Sequence, residues 1–138
     1  MPVDTPYPTM PDSTRRFLYY WLPVALYCAL IFFQSGRPVT AVLPAFPGMD
    51  KLLHFSAYAL LGILFARAFK AQLPAATPLR RMTLAGLATT LYGASDEFHQ
   101  SFVPMRMADP MDFLADATGA LAGVMTHHRL LRPHSRPH

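Results

Sequence analysis

From Phe17 to Phe33 the chain carries no charged side chain. In a helix rising about 1.5 Å per residue, such a run nearly crosses the roughly 30 Å hydrocarbon core of a bilayer. Arg15 and Arg16 precede it and Val39-Thr40-Ala41 offers a marginal cleavage site, but the run is too long for the apolar segment of a signal peptide. Pro23 is expected only to bend the helix. Three more apolar runs follow. Leu52 to Phe69 is interrupted by His54, Ser56 and Arg67, the last placed to snorkel toward headgroups. Met82 to about Phe102 carries Asp96, Glu97, His99 and Gln100 in its last turns, and about Pro110 to His127 starts with Asp112 and Asp116 before becoming small and apolar. Only 14% of the residues are charged while 52% are hydrophobic, against about 25% charged in an ordinary soluble domain, which excludes both that class and disorder. The expected fold is an all-α polytopic membrane protein, a bundle of four transmembrane helices over residues 14–131, with cytoplasmic tails at 1–13 and 132–138.

Charge placement orients the bundle, because short cytoplasmic loops retain Lys and Arg. With the N-terminus inside, Arg15, Arg16, Arg67, Lys70, Arg80, Arg81, Arg129, Arg132 and Arg136 are cytoplasmic, leaving Arg37, Lys51 and Arg106 outside. Both termini are then cytoplasmic. Asp50, Asp96, Glu97, Asp109, Asp112 and Asp116 fall at the outer ends of spans, so the side chains able to do chemistry converge there. The net charge of +4 comes from basic residues set singly or in pairs beside apolar runs, which does not favour nucleic acid as a partner. The single Cys28 builds neither a disulfide nor a cysteine metal site. The C-terminal histidines read as tail composition.

Asp50, His54 and Tyr58 follow i, i+4, i+8 spacing and share one helical face. Asp50 has two readings, an N-cap after Pro47-Gly48 or a ligand contact. His54, a turn inside a span, is costly unless it faces partners or a water-filled cavity. Tyr92, Asp96 and Gln100 stack on one face of the third helix, with Glu97 displaced by about a third of a turn. Two adjacent carboxylates at membrane depth repel each other unless Lys51, Arg106 or a metal ion compensates. His99 is read as facing the interface. Arg106, between Pro104 and Pro110, either orders its loop through an ion pair or clamps an anionic group. Asp109 precedes proline and is read as a turn residue. Asp112, Asp116, Gly119 and Gly123 lie on one face, the glycines forming a small-xxx-small helix contact that brings the aspartates against the helix of His54 or that of Asp96 and Glu97.

The motifs Asp50-Lys51-x-x-His54-Phe55, Asp96-Glu97-x-x-Gln100-x-Phe102-x-Pro104-x-Arg106 and Asp112-x-x-x-Asp116-x-x-Gly119-x-x-x-Gly123 resemble the VanZ-like membrane proteins. The resemblance covers roughly Trp21 to Val124, including Gln34-Ser35 at the polar exit of the first span. It departs from the family at Met105, where glycine is usual, and at Asp116, where asparagine is usual. It implies a small four-span protein of the bacterial inner membrane, related to the accessory factor that gives low-level teicoplanin resistance, and it implies no particular reaction.

Three functions compete. In the first, an outward pocket binds or modifies an amphiphilic envelope ligand such as a lipid-linked cell-wall precursor or a lipoglycopeptide. Asp50, Lys51, Tyr58, Gln100, Arg106, Asp112 and Asp116 would then contact the ligand. If the pocket catalyses, Glu97 or Asp96 is the acid or base, His54 the proton shuttle, and Lys51 with Arg106 the anion clamp. A divalent metal on Asp96, Glu97, Asp112 and His54 would suit the donor types, but no compact metal spacing supports one, and no cofactor is expected. In the second, the polar residues only hold the helices together, and function lies in association with the bilayer and a larger complex. The third, ion transport, is opposed by the gathering of the acids at one end. Dimerisation through a lipid-facing surface stays open.

Overall fold

Each helix begins where local chemistry satisfies or tolerates the unpaired backbone N–H groups of its first turn. The computed structural model describes residues 11–37, 46–104, 106 and 109–130. The residues Val39-Thr40-Ala41, Met105 and most of both expected tails lie outside these. Four helices form: α1 (Asp12–Ser35), α2 (Met49–Gln72), α3 (Pro78–Gln100) and α4 (Pro110–Leu130). In α1 the first-turn Asp12 pairs with Arg15 at 2.8 Å, and the helix continues through Pro23. Gly48 precedes α2 with φ +85°, a left-handed turn that favours glycine. Asp50 is therefore not the N-cap considered from sequence; it sits inside the first turn, where a negative charge suits the positive end of the helix dipole. The Thr77 hydroxyl accepts the Arg80 N–H at 3.2 Å, with Pro78 at the first helical position. Before α4 the Asp109 carboxylate accepts the Met111 N–H at 2.9 Å and Pro110 opens the helix. Helices outrun the apolar runs because backbone i to i−4 bonding does not stop where hydropathy does.

The connections reverse the chain each time, so α2 and α4 run parallel and both start at the end where α1 and α3 finish. The most extensive contact is between α2 and α4, while α1 packs chiefly on α2. Glycine makes the close contact feasible. A Cβ added at Gly62 would lie 2.7 Å from the Ala120 carbonyl oxygen, and one at Gly119 or Gly123 would collide with the carbonyl of Phe55 or Ala59. Behind this seam Val24, Tyr58, Leu61 and Ala68 form a buried cluster flanked by Trp21, Phe65 and Tyr92, and Ala66, Ala85 and Val124 form a second.

The outside is as apolar as the inside. Phe33 and Leu91 are 66% and 68% exposed, and Leu26, Phe98 and Leu121 are likewise uncovered. Water would penalise such a surface at roughly 25 cal/mol per Å²; lipid does not. α1 and α2 are each long and apolar enough to cross a membrane, and most of their residues are not buried inside the bundle. Among the described residues the protein is all-helical, with the apolar exterior and span-length helices of a membrane protein.

Candidate functional site

The polar side chains meet at one end of the bundle, where α2 and α4 begin and α3 ends, and they separate into three connected groups. At the rim, Lys51 is about a third exposed and contacts three carboxylates, Asp112 at 2.6 Å, Asp109 at 2.7 Å and Asp50 at 2.8 Å. One ammonium with three donors thereby ties the start of α2 to the start of α4. Hydrogen bonding to Lys51, with a further bond from the Met111 N–H, holds the Asp109 carboxyl below the usual carboxylate range.

One turn deeper, His54 Nδ1 is 2.8 Å from Asp116 Oδ1 and 4.0 Å from Glu97 Oε1, while its Nε2 is 4.0 Å from Asp112 Oδ2. Three helices each contribute one member of this inner group. Asp116 is fully buried and Glu97 is 7% exposed. Glu97 Oε2 accepts the Asp109 N–H at 3.2 Å. Its Oε1, and Oδ2 of Asp116, have no hydrogen-bond partner. Gly93 makes room here, since a Cβ on it would stand 3.1 Å from Asp116 Cβ and 3.2 Å from the Tyr58 ring.

The third group faces α1. Asp96 accepts the Ser35 hydroxyl on one oxygen and the Gln100 amide, at 3.0 Å, on the other. Gln100 in turn accepts Arg106 Nη1 at 3.0 Å, and Arg106 Nε donates to the Arg37 carbonyl at 3.1 Å. Tyr92 donates its hydroxyl proton to the Cys28 carbonyl. Tyr58, almost wholly buried, stands between Asp96 and Asp116 without a well-formed hydrogen bond at its hydroxyl. Adjacent in sequence, Asp96 and Glu97 are thus about 100° apart around α3 and join different groups.

All ten residues singled out from sequence, Asp50, Lys51, His54, Tyr58, Asp96, Glu97, Gln100, Arg106, Asp112 and Asp116, lie at this end, but not in one ring. His54, Glu97, Asp112 and Asp116 converge, joined at the rim by Lys51. Asp50 reaches the network only through Lys51. Arg106 contacts an amide and a backbone carbonyl, with no carboxylate contact among the described residues. His99 does not simply face the interface: it stacks on Phe32 with ring centroids 4.3 Å apart. Two contributors did not stand out in the sequence. Ser35 belongs to the polar exit of α1, and Asp109 proves to be a cap, an ion-pair partner and an N–H donor at once. The Asp-Pro step opening a helix was the available signal for the latter.

The family model described as VanZ/LLP1 matches residues 8–131, nearly the whole chain. The chain belongs to the VanZ/LLP1 family. Searches among curated proteins and among solved structures returned no match. In this VanZ/LLP1 member the three polar motifs that resemble the family come from three helices and meet at one end. The closest contact of the inner group is between the His54 imidazole and the Asp116 carboxylate, at 2.8 Å. Chemically, this inner group can exchange a proton between His54 and Asp116, and one buried carboxylate oxygen on each of Glu97 and Asp116 is left without a hydrogen bond.

Proposed function

We propose that this protein crosses the bacterial inner membrane four times with both termini in the cytoplasm, and that its outward polar end binds the headgroup of an amphiphilic envelope ligand. Charge asymmetry supports the orientation. Arg15, Arg16, Arg67, Lys70, Arg80, Arg81 and Arg129 sit at one end of the bundle and Arg37, Lys51 and Arg106 at the other, the distribution that the retention of Lys and Arg in cytoplasmic loops produces.

The observation that carries the binding reading is that Glu97 and Asp116 each keep a buried carboxylate oxygen without a hydrogen-bond partner and, unlike Asp112 with Lys51, have no lysine or arginine against them among the described residues. Buried polar atoms are ordinarily satisfied. A network serving only to fix helices has no use for unsatisfied anions, since hydrogen bonds between membrane helices average about 0.6 kcal/mol and leaving buried groups unpaired costs more than that. A lipid-linked cell-wall precursor or a lipoglycopeptide has the required combination of lipid tail and polar head, which links the site to the glycopeptide-resistance role of the family's namesake.

Native mass spectrometry of the protein in native lipid nanodiscs tests this, comparing wild type with Glu97→Gln. An envelope lipid retained by the wild type and lost from the variant is the expected result. Identical bulk lipid on both would refute the reading.

A further inference from the structure

We infer that His54, Glu97 and Asp116 form a binding site for one divalent transition-metal ion of the zinc or manganese type, with open coordination positions facing the outer end of the bundle. One ring nitrogen of His54, one Glu97 oxygen and one Asp116 oxygen all lie within 4.8 Å of one another, and Nδ1 is the nitrogen 2.8 Å from Asp116 and 4.0 Å from Glu97. Metal bonds of about 2.0–2.2 Å place neighbouring ligand atoms about 3.4 Å apart on a tetrahedral ion. Small side-chain rotations therefore suffice to close the site, and no helix has to move.

The partnering of the surrounding groups selects these three. Lys51 already neutralises Asp112 at 2.6 Å, and Ser35 and Gln100 occupy both oxygens of Asp96. Among the described residues the inner group has no lysine or arginine against it. Glu97 and Asp116 are more than nine-tenths buried and each keeps an oxygen without a hydrogen bond, beside the one imidazole. Two carboxylates and a neutral imidazole sum to −2, which a dication cancels. The donor types, one nitrogen and two oxygens, suit zinc or manganese better than a soft ion that favours thiolate.

The ring of His54 is set between carboxylates. Its Nδ1 points at Asp116 and Glu97, while Nε2 lies 4.0 Å from Asp112 Oδ2, beyond a hydrogen bond but on the side where an outer carboxylate would have to stand. To bind metal through Nδ1 the neutral imidazole carries its one proton on Nε2; an imidazolium releases its Nδ1 proton to solvent as the metal–nitrogen bond forms. Three protein ligands leave room for water or for another oxygen ligand. A phosphoryl oxygen of an anionic headgroup would fit there and overcome the surplus of acids at this end; that consequence rests on the function proposed above, whereas the metal site does not.

The test uses metal alone. Full-length protein in detergent, stripped with chelator, is titrated with Zn²⁺ and Mn²⁺, and bound metal is counted after dialysis. One equivalent per chain is expected, with affinity at least tenfold lower in Glu97→Gln and in Asp116→Asn and unchanged in Asp12→Asn, whose carboxylate is exposed at the start of α1. Wild-type protein loaded with Mn²⁺ supplies a readout independent of variant folding, because an imidazole ligand imprints nitrogen coupling on the pulsed paramagnetic resonance of the ion. Absence of one-equivalent binding, absence of that coupling, or binding that survives both carboxamide variants and so belongs to the histidines near the C-terminus, would overturn the inference. Metal binding without any retained lipid would uphold the site while removing its proposed use, so the two readings fail separately.

Discussion

Replacing Gly62 by alanine puts a methyl group 2.7 Å from the Ala120 carbonyl oxygen, 3.3 Å from its Cα and 3.4 Å from its carbonyl carbon. Ordinary van der Waals contact begins near 3.4 Å, so α2 and α4 must part by about 0.7 Å along that line. Both partners are helix backbone in the tightest seam of the bundle and cannot rotate away. Overpacking of this kind costs about 1–3 kcal/mol, which at about 4 °C per kcal/mol for a chain of this size lowers the melting temperature by about 4–12 °C. The parting also reaches the site. His54 on α2 and Asp116 on α4 are 2.8 Å apart, and a rigid shift of this size carries them to about 3.5 Å, beyond a good hydrogen bond. Gly86→Ala is the matched control: nothing lies within 4 Å of its added Cβ, and relief of the mid-helix glycine penalty should stabilise by about 0.5–1 kcal/mol. Thermal unfolding of both variants in the same detergent, followed by circular dichroism, measures the contrast. If Gly62→Ala melted with or above Gly86→Ala, the close approach of α2 and α4 would be refuted, and with it the geometry of the inner site.

Two further outcomes follow from the rim. Lys51→Met removes the ammonium that contacts Asp50, Asp109 and Asp112 together, so it should lower the melting temperature more at 20 mM than at 500 mM salt, where screening softens the repulsion among the three acids; a loss independent of salt would contradict this account of the triple contact. Lys51 holds the Asp109 carboxyl below its ordinary value of about 3.9. The resulting stabilisation is complete above that ordinary value and is lost as pH falls through the lowered one. Asp109→Asn keeps the helix cap but removes the charge, so the stability gap between wild type and variant should be open at pH 6 and close in acid; a gap constant with pH would show that the ion pair adds nothing.

Much of the architecture was written in the apolar runs. A stretch such as Phe17 to Phe33 can satisfy its backbone in lipid only as a helix or a closed barrel strand, and it is too long for the latter, so four helices could be read from four runs to within a few residues at most ends. The seam was equally plain, because Gly119 and Gly123 one turn apart have no better use in a span than close helix contact. Helix ends were less legible, as at Asp50, since capping depends on the dihedral angles of the preceding residue, here the left-handed Gly48.

The list of polar residues at one end of the bundle, too, could be drawn up from sequence, since period 3.6 and loop charge place each one by itself. Their partners could not. Whether Asp96 or Glu97 meets His54 depends on how α3 is rotated against α2 and α4, and that rotation is fixed by Gly93 receiving Asp116 and Tyr58, by Ser35 meeting Asp96, and by Asp109 offering its N–H to Glu97. Those are contacts between distant segments, and no single helix contains the information. Composition and periodicity decided that the chain lives in a membrane with its acids at one end; only the packing of three helices decided that one imidazole and two bare carboxylates would share a space small enough for a single ion.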